Sequence, residues 1–260
     1  TNDSNLGSLR FAIGQANATP GLDTIRFAIP GTIFLSSPMT GITDAVFIDG
    51  SSAPGYTPCG PPTIIINGAG AGSANGIQLF AGASGSTLLA LNVQGFALNG
   101  IQFIDSDANT VQGCYVGLNA FGTAATPNGL NGLQMEGGSD FNIIGGAVPC
   151  QGNAFSGNGG AGISVNFSNS NVFAGNLVGL SGTGTAAVGN GSFGMNLVNG
   201  SNNNTIGGTL LTARNVIANN GTGLTGNGIN INGSSDNIVQ NNFIGLNILG
   251  NVAMGNAENG

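Results

Sequence analysis

A six-residue phrase returns three times along this chain. It reads Gly113-Cys114-Tyr115-Val116-Gly117-Leu118, then Gly175-Asn176-Leu177-Val178-Gly179-Leu180, then Asn241-Asn242-Phe243-Ile244-Gly245-Leu246. The copies begin 62 and then 66 residues apart. A chain that restates one short unit folds by stacking the copies, because a single unit cannot enclose an apolar interior by itself. Most side chains of such a stack support their neighbours, so function is to be sought where the repeat is broken.

A finer register lies inside the long one. Gly precedes an apolar residue that opens an alternating run at Gly76-Ile77, Gly100-Ile101, Gly132-Leu133, Gly162-Ile163, Gly194-Met195 and Gly228-Ile229. The intervals are 24, 32, 30, 32 and 34 residues, and Gly260 stands where the next would begin. Each interval holds three short runs, such as Ile229-Asn230-Ile231, Asn237-Ile238-Val239 and Phe243-Ile244-Gly245. Alternation turns one side of each run inward. Gly and Asn fall at the corners, where positive φ is cheap for the first and tolerable for the second. Surplus residues gather at two corners: 119–128, 181–190 and 247–256 after the third run, 146–152 and 208–214 between the second and third.

Three strands per coil with tight corners predict an all-β right-handed parallel β-helix. Propeller blades need four antiparallel strands, and a leucine-rich horseshoe carries its own consensus. Five to seven coils at about 4.8 Å make a rod roughly 25–35 Å long. The start differs. Leu9, Ala12, Ile13 and Ala16 share one helical face, Ser8 is a fitting N-cap, and Pro20-Gly21 is the expected stop. The expected division is an N-terminal cap over 1–30, a short helix plus first strand, and coils over 31–260 with an uncapped C-terminal end. Early strands are expected at 25–29, 33–35, 46–49 and 64–66.

Thr1-Asn2-Asp3-Ser4, Gly7-Ser8-Leu9-Arg10, Ala16-Asn17-Ala18, Asp23-Thr24-Ile25 and Ile48-Asp49-Gly50 resemble the start of large secreted bacterial right-handed β-helix repeat proteins whose leader carries a CSLREA-type motif. Asn203 to Gly208 and Arg214-Asn215-Val216-Ile217 are similar to their repeats. The resemblance runs through the whole chain. It implies the same fold and a surface or secreted, structural or adhesin-like role.

Composition narrows the chemistry. Charged residues make up 5% of the chain, with no Lys, no His and three Arg, for a net charge of −7. Without a basic patch neither nucleic acid nor anionic lipid is an expected partner. No apolar run approaches the roughly 20 residues of a membrane span, so membrane insertion is not expected. Cys59 and Cys150 both follow proline in irregular stretches, where a disulfide between them is conceivable but left open. Cys114 sits inside the repeat as a small buried apolar residue.

Catalytic equipment is scarce. A polysaccharide lyase wants a strong base, and Arg214 is the one cation within the regular coils; anchoring its loop is the simpler role. A glycoside hydrolase wants two carboxylates about 5–9.5 Å apart. The candidates are Asp105 and Asp107 at one corner, with Glu136 and Asp140 at the equivalent corner one coil on; solvent-facing corner acids are the simpler reading. Lack of His rules out Ser-His and Cys-His nucleophiles. Asn176 and Asn242 occupy matching corners, with Cys114 in the earlier copy, where stacked amides bond coil to coil. Tyr56 and Tyr115 are the only tyrosines, and Trp is absent. No catalytic residue, metal or cofactor is therefore expected. The expected function is a non-enzymatic extracellular or cell-surface β-helix, structural or adhesin-type, self-associating head-to-tail through its terminal coils or forming part of a longer rod. The alternative is a polysaccharide-binding or polysaccharide-degrading β-helix in contact with glycans.

Overall fold

A computed structural model describes residues 5–223 and 225–260; Thr1 to Ser4, part of the N-terminal resemblance, lie outside the described residues. Three parallel sheets, two of eight strands and one of six, build a right-handed β-helix. Sheet A stacks Asp23–Arg26, Val46–Asp49, Thr87–Leu89, Thr110–Gln112, Ile143–Gly145, Val172–Ala174, Thr205–Gly207 and Ile238–Gln240. Sheet B stacks Gly31–Phe34, Ile64–Asn67, Leu91–Gln94, Tyr115–Val116, Ala154–Phe155, Leu177–Val178, Val216–Ile217 and Phe243–Ile244. Sheet C stacks Ile77–Leu79, Ile101–Ile104, Leu133–Glu136, Ile163–Asn166, Met195–Val198 and Ile229–Asn232. The chain visits C, A and B in turn within each coil. All six Gly-apolar pairs of the sequence open the strands of sheet C.

Each strand turns one or two apolar side chains into the shared core. In sheet A the inward column is Ile25, Ile48, Leu88, Val111, Ile144, Phe173 and Ile206, every one buried. Sheet B answers with Ile66, Val93, Val116, Phe155, Val178 and Ile217, and sheet C with Ile101, Phe103, Leu133, Met135, Ile163 and Val165. Burying each such side chain contributes about 1.5–3 kcal/mol. Continuous columns are what strands of two to four residues need, since none holds its place alone.

The helix Leu9–Ala16 covers the N-terminal end of this core with Leu9, Ile13 and Ala16. Ser8 caps it, its Oγ accepting the Phe11 N–H at 3.1 Å. The helix stops at Ala16, a turn before the expected Pro20-Gly21. Asn17 takes over there, because its side chain is drawn across to the chain ahead: Nδ2 donates to the Gly41 carbonyl and Oδ1 accepts the Thr43 N–H, both at 2.8 Å. The first strand likewise begins at Asp23 and ends at Arg26 rather than covering 25–29, since its register is fixed by Val46–Asp49 beside it.

Asparagine ladders hold the corners. Between sheets C and A the column is Asn109, Asn142, Asn171 and Asn204; between A and B it is Asn153, Asn176, Asn215 and Asn242; between B and C it is Asn128, Asn158, Asn190, Asn220 and Asn256. In each, one side-chain oxygen accepts from the asparagine of the preceding coil. Asn171 Oδ1 takes both the backbone N–H and the amide of Asn142, at 2.8 and 3.0 Å. Its own two donors pass to Asn204 Oδ1 at 2.9 and 3.0 Å. Cys114 heads the A–B ladder: its N–H donates to Asn153 Oδ1, and its thiol turns to the Leu88 and Gln112 carbonyls. The expected amide columns at Asn176 and Asn242 are thus present, and present at all three corners.

Asn171→Ala should orphan two buried donors on Asn142 and one acceptor site on Asn204. At roughly 1–3 kcal/mol for a buried group left unpaired, the loss comes to about 3 kcal/mol. A fall of that size in urea-unfolding stability, against a smaller one for the half-buried Asn169→Ala or Asn202→Ala, whose side-chain oxygens each accept one backbone N–H, is the expected result.

Candidate binding groove over sheet B

Loops rise from two of the three corners and leave the third bare. On the B–C side residues 119–128, 181–190 and 247–256 project from alternate coils and stack on one another. Gly182 N–H donates to the Gly122 carbonyl at 2.8 Å, and Ile248 N–H to the Gly184 carbonyl at 3.1 Å. Single antiparallel bridges, Leu118 with Ala125, Leu180 with Ala187 and Leu246 with Ala253, close the base of each loop. On the A–B side residues 146–152 and 208–214 do the same from the intervening coils, leaning onto the tight corners beside them through Gly113 N–H to the Gln151 carbonyl and Gly175 N–H to the Ala213 carbonyl. Residues 50–63 form a third, longer loop on this side, one that the repeat pattern did not reveal. The two walls flank the outward face of sheet B, whose floor is Tyr115, Ala154, Leu177, Val216 and Phe243.

One wall is tied by a bond the sequence left open. Cys59 and Cys150 form a disulfide with a Cα–Cα distance of 4.5 Å and a sequence separation of 91. In sheet A their coils are separated by two others, whose A–B corners at Ala90 and at Gly113-Cys114 are tight, so the two loops arch over roughly 14 Å of rod to meet. Closing a loop that long constrains the unfolded chain by about 4.6 kcal/mol.

Between the walls lies a groove of about 220 Å³, lined by Tyr56, Tyr115, the disulfide, Leu177, Gly182 and Ile248. Tyr115 projects outward from its strand and lies under both Gly122 and Gly182; a Cβ on either would strike its ring or hydroxyl. That contact, rather than turn geometry alone, requires glycine at these two positions. Tyr56 reaches the groove from the 50–63 loop, and its hydroxyl comes to rest by Gly113. Among the described residues neither phenol hydroxyl has a hydrogen-bond partner. Burial raises the pKa of both; Cys114 and Asp49 add to the rise at Tyr56, and Tyr56 adds to the rise at Tyr115. Both therefore stay protonated donors at neutral pH. The two tyrosines were visible in the sequence only as its sparse phenols; their convergence follows from a loop that precedes one sheet B strand bending toward another.

The other sequence candidates are dispersed and occupied. Arg214 anchors its loop: Nε donates to the Asn241 carbonyl at 3.1 Å, one terminal nitrogen donates to Asn241 Oδ1 at 2.8 Å, and the guanidinium lies 3.8 Å over the Phe243 ring. Asp107 Oδ1 accepts the Asp140 N–H at 2.8 Å, Asp140 Oδ1 accepts the Asn169 N–H, and Glu136 Oε1 accepts the Gln102 amide at 2.7 Å. These acids, with Asp105, sit at the bare C–A corner, away from the groove. Among the described residues no group of three or more His, Cys, Asp or Glu side chains is placed to hold a metal ion. None of the described helices is long and apolar enough to cross a membrane. A larger cavity of about 470 Å³ lies by the N-terminal helix, with a mostly apolar lining of Leu9, Ala12, Ile25, Phe27, Ile33 and Ile64 in which Ser8 and Arg26 are the polar side chains.

No family model matches the chain, and no curated protein does. Among solved structures it is similar to a mutant form of the periplasmic alginate epimerase AlgG, with 12% identity and a TM-score of 0.48, over 84% of this chain and 43% of that one. The chain thus spans less than half of that protein's length, and a likeness of this degree bears on neither activity nor substrate.

Cys114 is wholly buried, and burial pushes its thiol from 9.0 up to about 12. Folding thereby raises the pKa of Cys114, Tyr56 and Tyr115, so above their ordinary values the unfolded chain releases protons that the native state keeps. The associated stability is intact at neutral pH and is lost as pH climbs from about 9 toward 12. Urea midpoints measured from pH 7 to 11.5 should begin to fall near pH 9, and in Cys114→Ala the fall should begin about one unit later, when tyrosine alone titrates.

Proposed function

We propose that this protein is a polysaccharide-binding β-helix that holds a neutral, hydroxyl-rich glycan in the groove over sheet B. One observation carries the reading: two unpartnered phenol hydroxyls, on rings 59 residues apart in sequence, face one loop-walled groove. A phenol both donates and accepts, and its ring offers an apolar face, which suits the alternating hydroxyl and C–H surfaces of a sugar. At about 220 Å³ the groove falls below the roughly 300–1,000 Å³ usual for pockets that enclose a whole small molecule. It suits one sugar unit or the flank of a chain lying across the rod.

Charge favours a neutral ligand. Arg214 is engaged by Asn241 and Phe243, Arg10 by the Ser37 and Pro38 carbonyls, and Arg26 faces Asp49 at 3.9 Å. An acidic polymer would meet a chain of net charge −7 whose pocket around the two tyrosines is lined by no cation, Arg214 lying beyond it over Phe243. The carboxylates considered for hydrolysis lie on another corner, which favours holding a glycan over cleaving it. An oxidising exterior suits the Cys59–Cys150 disulfide, in keeping with the secreted, adhesin-like role that the resemblance to the CSLREA-type group implies.

Affinity electrophoresis against neutral glucans and mannans, with alginate and polygalacturonate alongside, tests this. Retardation by a neutral polymer is expected, and Tyr56→Phe or Tyr115→Phe should weaken it by about three- to tenfold each, the worth of one hydrogen bond. Preference for the acidic polymers, or indifference to the double Tyr→Phe variant, would sink the reading. Release of new reducing ends would move it from binding to degradation.

A further inference from the structure

The bare C–A corner carries two phenylalanines that folding does not need. Phe141 and Phe167 are 64% and 59% exposed, so neither fills the core. Both stand in the left-handed backbone region, at φ 58° and 51°. A bulky residue is strained there, whereas Gly, Asn and Asp are tolerated. The other coils place Gly, Asn or Asp at six of the eight equivalent positions and small residues, Ala108 and Ser170, at the remaining two. At the position of Phe141 they place Ala108, Ser170, Asn203 and Asp236, and at that of Phe167 they place Asp105, Gly137, Asn199 and Gly233, all with positive φ. An exposed aromatic at a strained corner costs stability and returns none through packing, and such outliers gather at functional positions.

The two rings belong to adjacent coils, joined by Gly138 N–H to the Phe167 carbonyl at 2.9 Å and Phe141 N–H to the Asn169 carbonyl at 3.2 Å. Beside them the outward face of sheet A offers Ile143 and Val172, paired in register and also exposed. No long loop covers this side, because the protruding loops rise from the other two corners. The surroundings are anionic. Asp105, Asp107, Glu136, Asp140 and Asp236 lie along this one corner, five of the ten acidic residues in the chain. All three arginines are elsewhere, two near the N-terminal helix and the third in the A–B wall.

We propose that this corner is a docking surface for a basic, partly apolar polypeptide segment, one that sets Lys or Arg between apolar side chains. Apolar groups of the partner cover Phe141, Ile143, Phe167 and Val172, while its cations meet the flanking carboxylates and the faces of the two rings. Charge complementarity selects this occupant over a second copy of the chain, which would bring an equal row of acids against the first. The proposal is independent of the glycan groove, which opens on a different face.

A fluorescein-labelled, acetylated and amidated decapeptide of alternating Lys and Leu is the probe, with its Glu–Leu counterpart as control, both read by anisotropy against the intact protein. The Lys–Leu peptide should bind and the Glu–Leu peptide should not. Raising NaCl from 50 to 300 mM should weaken binding severalfold, as screening of the acidic corner requires. The double variant Phe141→Asn plus Phe167→Asn uses the residue type that Asn203 and Asn199 supply at the equivalent positions of the coil that follows both. It should keep or raise the melting temperature while lowering affinity by about tenfold, as for the loss of two aromatic anchors. Failure of the Lys–Leu peptide to bind would overturn the proposal, and so would equal binding of the acidic peptide or affinity unchanged in the double variant.

Discussion

The corner amide is the interaction on which the remainder of this molecule depends. A coil of three very short strands turns sharply three times, and every turn buries backbone groups that strand pairing cannot reach. Asparagine meets the need because a single side chain carries both an acceptor and two donors. Its oxygen receives two donors from the preceding coil while its nitrogen supplies one to the next, so a column of them extends without a mismatch. Aspartate in the same place could only accept, and a stack of buried carboxylates would repel itself. The scarcity of charge in this chain follows from that requirement as much as from any property of its surroundings.

Fixing the corners from within also frees the outside. Where an asparagine secures both backbone and neighbour, residues inserted beside it leave the stack undisturbed, and the chain uses this in alternate coils at two corners. Alternation lets each loop lie over the tight corner next to it instead of colliding with another loop. The same arrangement builds two walls from modest insertions and sets sheet B at the bottom of a trough. Tyr115 stands in that trough because Gly122 and Gly182, belonging to loops of two different coils, leave its ring room.

How much was legible follows from the range over which each feature acts. The strands of sheet C were readable from six Gly-apolar pairs, since each announces itself locally. The ladders were readable in part: Asn176 and Asn242 share a phrase, but Asn153 and Asn215 follow inserted loops of other wording and match only in space. The N-terminal helix showed its start at Ser8 and hid its end, because Asn17 is committed to Gly41 and Thr43, residues far along the chain. Pairing of Cys59 with Cys150, and the meeting of Tyr56 with Tyr115, both depend on how far the 50–63 loop reaches along the rod. Spacing in sequence carries no such information. Phe141 and Phe167 were ordinary apolar residues until backbone conformation and exposure marked them as costly.

Two outer surfaces of one rod thus differ in chemistry for a structural reason. The pocket around Tyr56 and Tyr115 over sheet B is sheltered, lined by no charged side chain and equipped with neutral hydroxyls, so recognition there rests on shape and hydrogen bonds made away from bulk water. The C–A corner is convex and wet, and its carboxylates act in high dielectric, where each is weak and only their sum along one ridge matters. A β-helix permits this separation because its sheets face away from one another and its core transmits little between them. The strain at Phe141 and Phe167 is borne by coils whose ladders and core columns are complete, which is why an otherwise regular solenoid can carry it.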